Sequence, residues 1–280
     1  MQFRAQLACI CRREVSSQLR QCLWVVASLC VLLACCYQTE CLAQNVRAGS
    51  PAKVAETKEA KQSVDEGFES LFDGRTLSGW NAVPENTASD WSVHDGAILG
   101  VGSADRLAYL VWKDQQLTDF ELRLRYRMLT QGNTGVEIRA IPDVSRKRPF
   151  EGYHADIGHV GIGPNVLGAW DFHFAKRIEH QRKEHACPLG TRLVIDENDS
   201  PHVTRIENGL TDEGVHDRDW NDARIVAKGN HFEFFINGKL ASEFTDNVRN
   251  GRLNQGAIGL QLHNRGMRVE FKDLRLKLQP

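Results

Sequence analysis

The chain has 280 residues, 41% hydrophobic and 25% charged, the balance of an ordinary globular protein. Its 35 basic and 36 acidic side chains leave a formal net charge of -1, which argues against a nucleic-acid partner, because phosphate binding needs a basic excess or a basic face. The 23 Gly, 8 Pro and scattered Phe and Trp exclude collagen, coiled coil and disordered polymer.

The first element is a leader. Seven of the eight cysteines (Cys9, Cys11, Cys22, Cys30, Cys35, Cys36 and Cys41) precede position 42. Around them, Arg4, Arg12, Arg13 and Arg20 form a positive flank ahead of the apolar run from Cys22 to Cys36. A basic start, a short apolar stretch and small residues after it describe a secretion signal. The run is shorter than the roughly 18 residues of a membrane span. Residues 1–43 are therefore expected to be a signal peptide cut before Gln44, or a lipoprotein leader with Cys35 lipidated. Either route exports the protein to the periplasm, outer membrane or cell surface, with no membrane span in the mature domain. Cys187, the one cysteine of the body, reads as inert, since nothing near it in sequence would lower a thiol pKa.

Residues 44–66 carry no aromatic residue and many Ala, Lys and Glu, so they cannot bury enough apolar surface to offset ordering. They read as a flexible linker. The folded domain is expected over 67–280, about 200 residues, enough for one sizeable core.

From Gly67 onward the pattern has period two. His94-Asp95-Gly96 predicts a tight turn between two short strands. Phe120, Leu122, Leu124, Tyr126 and Met128 alternate with charged residues, which puts one strand face on a core and the other in water. Ala223, Ile225 and Ala227 give a weaker alternation. In HFEFFINGKLASEF, Phe232, Phe234 and Ile236 share a face and Asn237-Gly238 makes a two-residue hairpin turn. Ile258, Leu260 and Leu262 mark another strand. In the last one the apolar parity changes at Lys272-Asp273, which predicts a bulge or a kink there. Many strands, short turns and no alternating helices predict an all-β antiparallel sandwich or jelly roll.

No phosphate loop, dinucleotide fingerprint, HExxH or GxSxG motif is present. The candidate chemistry lies in three polar groups. If Val136, Ile138 and Ala140 face the core, Glu137 and Arg139 share the other face, as a saccharide site or as an exposed ion pair. His154 and Asp156 likewise share a face, opposite Tyr153, Ala155 and Ile157, as acid/base partners, metal ligands or a surface pair. Gln261 and His263 oppose Leu260 and Leu262. Five of the ten histidines (His154, His159, His173, His180 and His185) fall in one region, although His180 and His185 fit no standard zinc spacing. Trp170 and Trp220 could stack on sugar rings or belong to the core.

The motifs in order resemble a known family. Gly67-Phe68-Glu69-Ser70-Leu71-Phe72-Asp73-Gly74 with Leu77-Ser78-Gly79-Trp80 resembles the opening of the 3-keto-disaccharide hydrolase domain. Trp91 with Asp95-Gly96, residues 132–139, residues 152–158 and Asp219-Trp220-Asn221-Asp222 continue the match. Ile236-Asn237-Gly238-Lys239, Gly259-Leu260-Gln261-Leu262-His263 and Val269-Glu270-Phe271-Lys272-Asp273 resemble its closing motifs. This sequence departs from the pattern at His154, where Gln is frequent, and over 159–218, which has fewer of the family's motifs.

The resemblance implies a concanavalin A-like jelly roll that acts on 3-keto-glycosides, as a 3-keto-glucoside lyase or 3-keto-2-hydroxyglucal hydratase. A ketone at carbon 3 acidifies the hydrogen at carbon 2, so a base can remove it and expel the oxygen at carbon 1. Water then adds back, for net hydrolysis. On this reading Glu137 or His154 is the base, and Asp156 orients the histidine or binds a divalent metal ion, the one cofactor expected. Arg139 stabilises the enolate, and His263 assists proton transfer. The expected saccharide contacts are Arg139, Tyr153, Trp170, Arg177, Trp220 and Gln261. A non-catalytic, lectin-like carbohydrate-binding module is the alternative, and a purely structural surface domain is the third class.

Overall fold

The structure, a computed structural model, describes residues 66–114, 116–145, 147–159, 166–173 and 187–280. The expected leader, all of the linker but its last residue, and Arg177, His180 and His185 lie outside the described residues.

The alternation along the chain becomes two stacked sheets. The larger holds ten strands: β1 (Glu69–Ser70), β3 (Trp91–His94), β4 (Ala97–Val101), β6 (Phe120–Met128), β10 (Thr191–Ile195), β11 (Pro201–Arg205), β12 (Asn221–Lys228), β13 (His231–Ile236), β14 (Lys239–Asp246) and β16 (Arg268–Leu278). The smaller holds six: β2 (Trp80–Val83), β5 (Ala108–Trp112), β7 (Gly135–Pro142), β8 (Phe150–Asp156), β9 (Trp170–His173) and β15 (Ala257–Leu262), in the spatial order β2-β5-β15-β7-β8-β9. The fold is the expected all-β jelly-roll sandwich. The described pairings are antiparallel, except that β10 runs parallel to β14.

One core joins the two inner faces. Phe120, Leu122 and Leu124 from β6 meet Val136 and Ile138 from β7, Tyr153 and Ala155 from β8, and Leu260 from β15. Near β9 the core is aromatic. Trp170, Tyr153, Phe172, Phe232 and Phe244 pack with ring centroids 4.3–6.2 Å apart, mostly tilted or edge-on, and Phe232 and Phe244 stack at 4.3 Å. Each such pair adds roughly 0.5–1.5 kcal/mol beyond the area it buries. On the opposite face of the smaller sheet, Tyr109, Val111, Ala140, Phe150 and Ala257 form a second, small apolar cluster.

Local turn chemistry follows the sequence. Asp95-Gly96 and Asn237-Gly238 both take positive φ at their two central residues, as a type I′ hairpin requires. The polar stretch after Gly190 folds into the β10–β11 hairpin, which extends the larger sheet at its edge. The parity change in β16 is a bulge: its register against β6 shifts between Lys272 and Arg275, and Asp273 sits at φ +54°. Val269 and Phe271 before the bulge, and Leu274 and Leu276 after it, can then all reach the core.

The left-handed conformation costs a residue with a Cβ about 1–2 kcal/mol, more for a β-branched one. Asp273→Val should therefore lower unfolding free energy by about 1–2 kcal/mol in urea titration, with unchanged m-value. Asp273→Gly should be neutral or stabilising, because glycine adopts this φ without a steric penalty.

Candidate active site

Three neighbouring strands carry the polar residues of the site. In β7, Val136 and Ile138 enter the core, so Glu137 points to the opposite face. Glu137 is in register with His154 of β8, and His154 with Asp171 of β9; Gly152 of β8 is in register with His173 of β9. Residues in register share a face. Glu137, His154, Asp156, Asp171 and His173 therefore collect on one side of the smaller sheet, and all are buried.

Glu137 is wholly inaccessible, at 0% exposure. Its Oε2 accepts from His154 Nδ1 at 2.9 Å and from His173 Nδ1 at 2.9 Å, and the latter also lies 3.2 Å from Oε1. The two imidazoles stack, with centroids 4.7 Å apart and planes at 24°. On its far side, His154 Nε2 lies 3.5 Å from Asp156 Oδ1, an ion-pair separation rather than a well-formed hydrogen bond.

These contacts set the charges. Burial alone would raise the Glu137 pKa, but His173 and His154 hold it down to about 2. Burial alone would lower the His154 pKa, yet Asp156 and Glu137 push it up to about 10. Without any other ion, the centre is a buried carboxylate held by imidazolium.

The same side chains fit a divalent metal. One ligand atom each from Glu137, His154 and His173 lie within 4.8 Å of one another. Two imidazole nitrogens and a carboxylate oxygen form a donor set used by zinc and other borderline ions. Asp156, beside His154, is placed to orient that ligand.

A second polar pair shares the face. Gln261 of β15 is in register with Tyr109 of β5 and donates its Nε2 to the Tyr109 hydroxyl at 3.0 Å. Its backbone carbonyl is fixed by the Thr134 hydroxyl. Among the described residues the Gln261 Oε1 is buried without a hydrogen-bond partner, an acceptor that a ligand hydroxyl could satisfy.

Four expected residues, Glu137, His154, Asp156 and Gln261, thus share one face. His263 sits one residue past β15 and is half-buried, its backbone N–H directed at Met267 Sδ. Others are elsewhere. Arg139 does not share the Glu137 face, because it takes φ +47° at a bulge where the β7–β8 register shifts between Ile138 and Ile141. The bulge turns its guanidinium inward over Phe232, onto Asp119 and the carbonyls of Thr118, Gly229 and Leu253. It also turns Ala140, expected in the core, towards Tyr109 and Phe150. Tyr153 faces the core and donates its hydroxyl to Asp246. Trp170 is likewise a core residue, its indole N–H directed at the Ser242 carbonyl. Trp220 lies on the outer face of the larger sheet beneath Arg127 and Lys272. Cys187 is buried, and burial pushes its thiol up to about 12, as an inert cysteine requires.

Sequence reasoning left His173, Asp171 and Tyr109 out of the site. For the first two a signal existed: in Trp170-Asp171-Phe172-His173 the aromatics alternate with polar residues, so Asp171 and His173 must face away from the core. Two glycines make room for the centre. A Cβ on Gly152 would fall 2.9 Å from Glu137 Cγ and Cδ and closer still to Oε1, and one on Gly135 would overlap His154 Nε2. Gly152→Ala should therefore destabilise by about 1–3 kcal/mol, the usual cost of overpacking. Gly259→Ala should cost less, since its Cβ would make only ordinary contacts, at 3.4 Å to Tyr109 and 3.7 Å to Glu137. Denaturation midpoints of the two variants check this contrast.

Comparison with known proteins agrees with the fold. A solved structure from Parabacteroides distasonis ATCC 8503, provisionally described as a glycosyl hydrolase, is 17% identical with a TM-score of 0.51, covering 79% of this chain and 97% of its own. A second from that organism, with the same provisional description, is 19% identical with a TM-score of 0.47, covering 76% and 99%. The carbohydrate-binding module CBM66 from Bacillus subtilis is 12% identical with a TM-score of 0.45, covering 72% and 98%. No curated protein matches the chain. The model of the 3-keto-α-glucoside-1,2-lyase-like domain matches residues 67–277, nearly all of the folded part, and the chain belongs to that family.

Proposed function

We propose that this domain cleaves 3-keto-glycosides by elimination followed by hydration. The C2–H bond breaks and its electron pair forms the enediolate with the carbon-3 ketone. That pair then returns to form the C1=C2 double bond as the C1–O bond breaks, and the departing oxygen takes up a proton. Water adds hydroxide to carbon 1 and a proton to carbon 2, so the sum is hydrolysis.

The observation that carries this reading is the buried Glu137 carboxylate shared by two imidazoles, on the face that also offers the Gln261 amide oxygen. Such a centre is suited to developing oxyanion charge, which fixed donors in a dry site stabilise strongly. His154, cationic near neutral pH in the absence of another ion, donates towards the enediolate oxygen. Glu137 is too weak a base at a pKa of about 2, so its role is to hold the two histidines. Of the two other buried carboxylates on this face, Asp156 and Asp171, Asp156 lies beside His154 Nε2 and is the one assigned to take the carbon-2 proton. The Gln261 oxygen accepts from a sugar hydroxyl and fixes the ring. A divalent ion held by Glu137, His154 and His173 would supply Lewis-acid polarisation of the ketone. Family membership supports the substrate class, and the basic and apolar pattern of residues 1–43 supports export as the setting.

Of the aromatics a non-catalytic binding module would use as sugar platforms, Tyr153 and Trp170 are spent in the core and Trp220 lies on the other sheet from Glu137. Glu137→Gln, His173→Ala and Asp156→Asn should each lower turnover on 3-keto-glycosides at least about a hundredfold, the usual acid/base and oxyanion contribution. Tyr153→Phe should instead lower Tm while keeping KM. Aglycone release and transient enone absorbance are the measurements, with a chelator arm for the metal. Wild-type rates in all three site variants, or glycan binding with no turnover by the wild type, would overturn the enzyme reading.

A further inference from the structure

The outer face of the larger sheet carries a separate cluster of metal-ligating groups. β13 and β14 pair with His231 opposite Thr245 and Glu233 opposite Glu243. Phe232, Phe234 and Phe244 enter the core, so these four residues all face outward. Two carboxylates set directly opposite each other repel. One of them, Glu243, is only 5% exposed, which denies its charge full hydration.

The groups around the pair divide its oxygens. Arg192 of β10, in register with Glu243, takes Glu243 Oε1. Glu243 Oε2 is left facing His231 Nε2 at 3.8 Å, and the same nitrogen lies 3.9 Å from Glu233 Oε1. Both separations are too long for hydrogen bonds. They are a few tenths of an ångström wider than the roughly 3.3–3.6 Å that bonds of about 2.0–2.2 Å at tetrahedral angles set between ligands, so a small inward side-chain shift would close the three atoms on one ion. His231 Nδ1 lies 3.0 Å from the Thr245 hydroxyl, and in the tautomer that donates there the Nε2 lone pair faces the two carboxylates.

We infer that His231 Nε2, Glu233 Oε1 and Glu243 Oε2 bind a divalent transition-metal ion of the zinc class, clamping β13 to β14. One imidazole with two carboxylates suits such a borderline ion better than an all-oxygen calcium site. Thr245 and Arg192 orient the ligands, and Arg192 links the clamp to β10. The ion would remove the Glu233–Glu243 repulsion and stabilise the folded state by mass action. The site is structural and does not depend on the chemistry proposed for Glu137.

Zinc titration of the full chain, by calorimetry and chelator competition, tests this. The wild type should bind one more zinc per chain than His231→Ala or the isosteric Glu233→Gln. Both variants should lose the corresponding zinc-induced rise in Tm while glycoside turnover stays at the wild-type rate. Unchanged zinc stoichiometry in both variants would overturn the site. Zinc binding abolished by His173→Ala alone would overturn it equally.

Discussion

A carboxylate at 0% exposure has to be compensated, and the site is built around how Glu137 achieves this. An isolated buried charge costs far more than a domain's net stability, so it persists only when paired and hydrogen-bonded. His154 and His173 supply both the hydrogen bonds and the opposite charge. Removing either should leave an uncompensated charge, a loss of about 3–5 kcal/mol in comparable buried pairs. The partners come from different strands, so the constraint also fixes the register of β7, β8 and β9. Gly135 and Gly152 belong to the same constraint, because a side chain at either would occupy the space that His154 or Glu137 needs.

Building the centre on adjacent strands has a chemical consequence. Strand side chains are held by two neighbours and by the core beneath, so the groups of the proposed site are oriented before any ligand arrives. The aromatic packing of Tyr153, Trp170, Phe172, Phe232 and Phe244 under β8 and β9 is that foundation. Those aromatics therefore serve the site from below rather than as sugar platforms. On the other side of the centre, the Tyr109–Gln261 pair extends the polar face across β15 to β5.

Much of this was legible in the sequence because period-two alternation is a local signal. It identified the core face of β6, the Asn237-Gly238 hairpin and the bulge near Asp273, and it put Glu137, His154, Asp156 and Gln261 opposite their apolar neighbours. It failed at Arg139, where a bulge reverses parity with no parity break in the residue types: Val136, Ile138 and Ala140 look continuous. Tyr153 and Trp170 were misread as sugar contacts for a different reason. Amphipathic aromatics suit both a core and a sugar face, and only the register against Phe232 and Phe244 decides. His173 was visible as one of a group of histidines, but its partner Glu137 lies 36 positions earlier, and pairing across that separation is a property of the sheet.

The central claim is that Glu137 and His173 act as one unit. A double-mutant cycle on turnover of a 3-keto-glycoside, comparing Glu137→Gln, His173→Ala and the combination, measures this directly. The account predicts that each single change is severe and that the double variant is no more than a few-fold slower than the worse single. Losses that multiply, or a single variant that retains wild-type turnover, would contradict it.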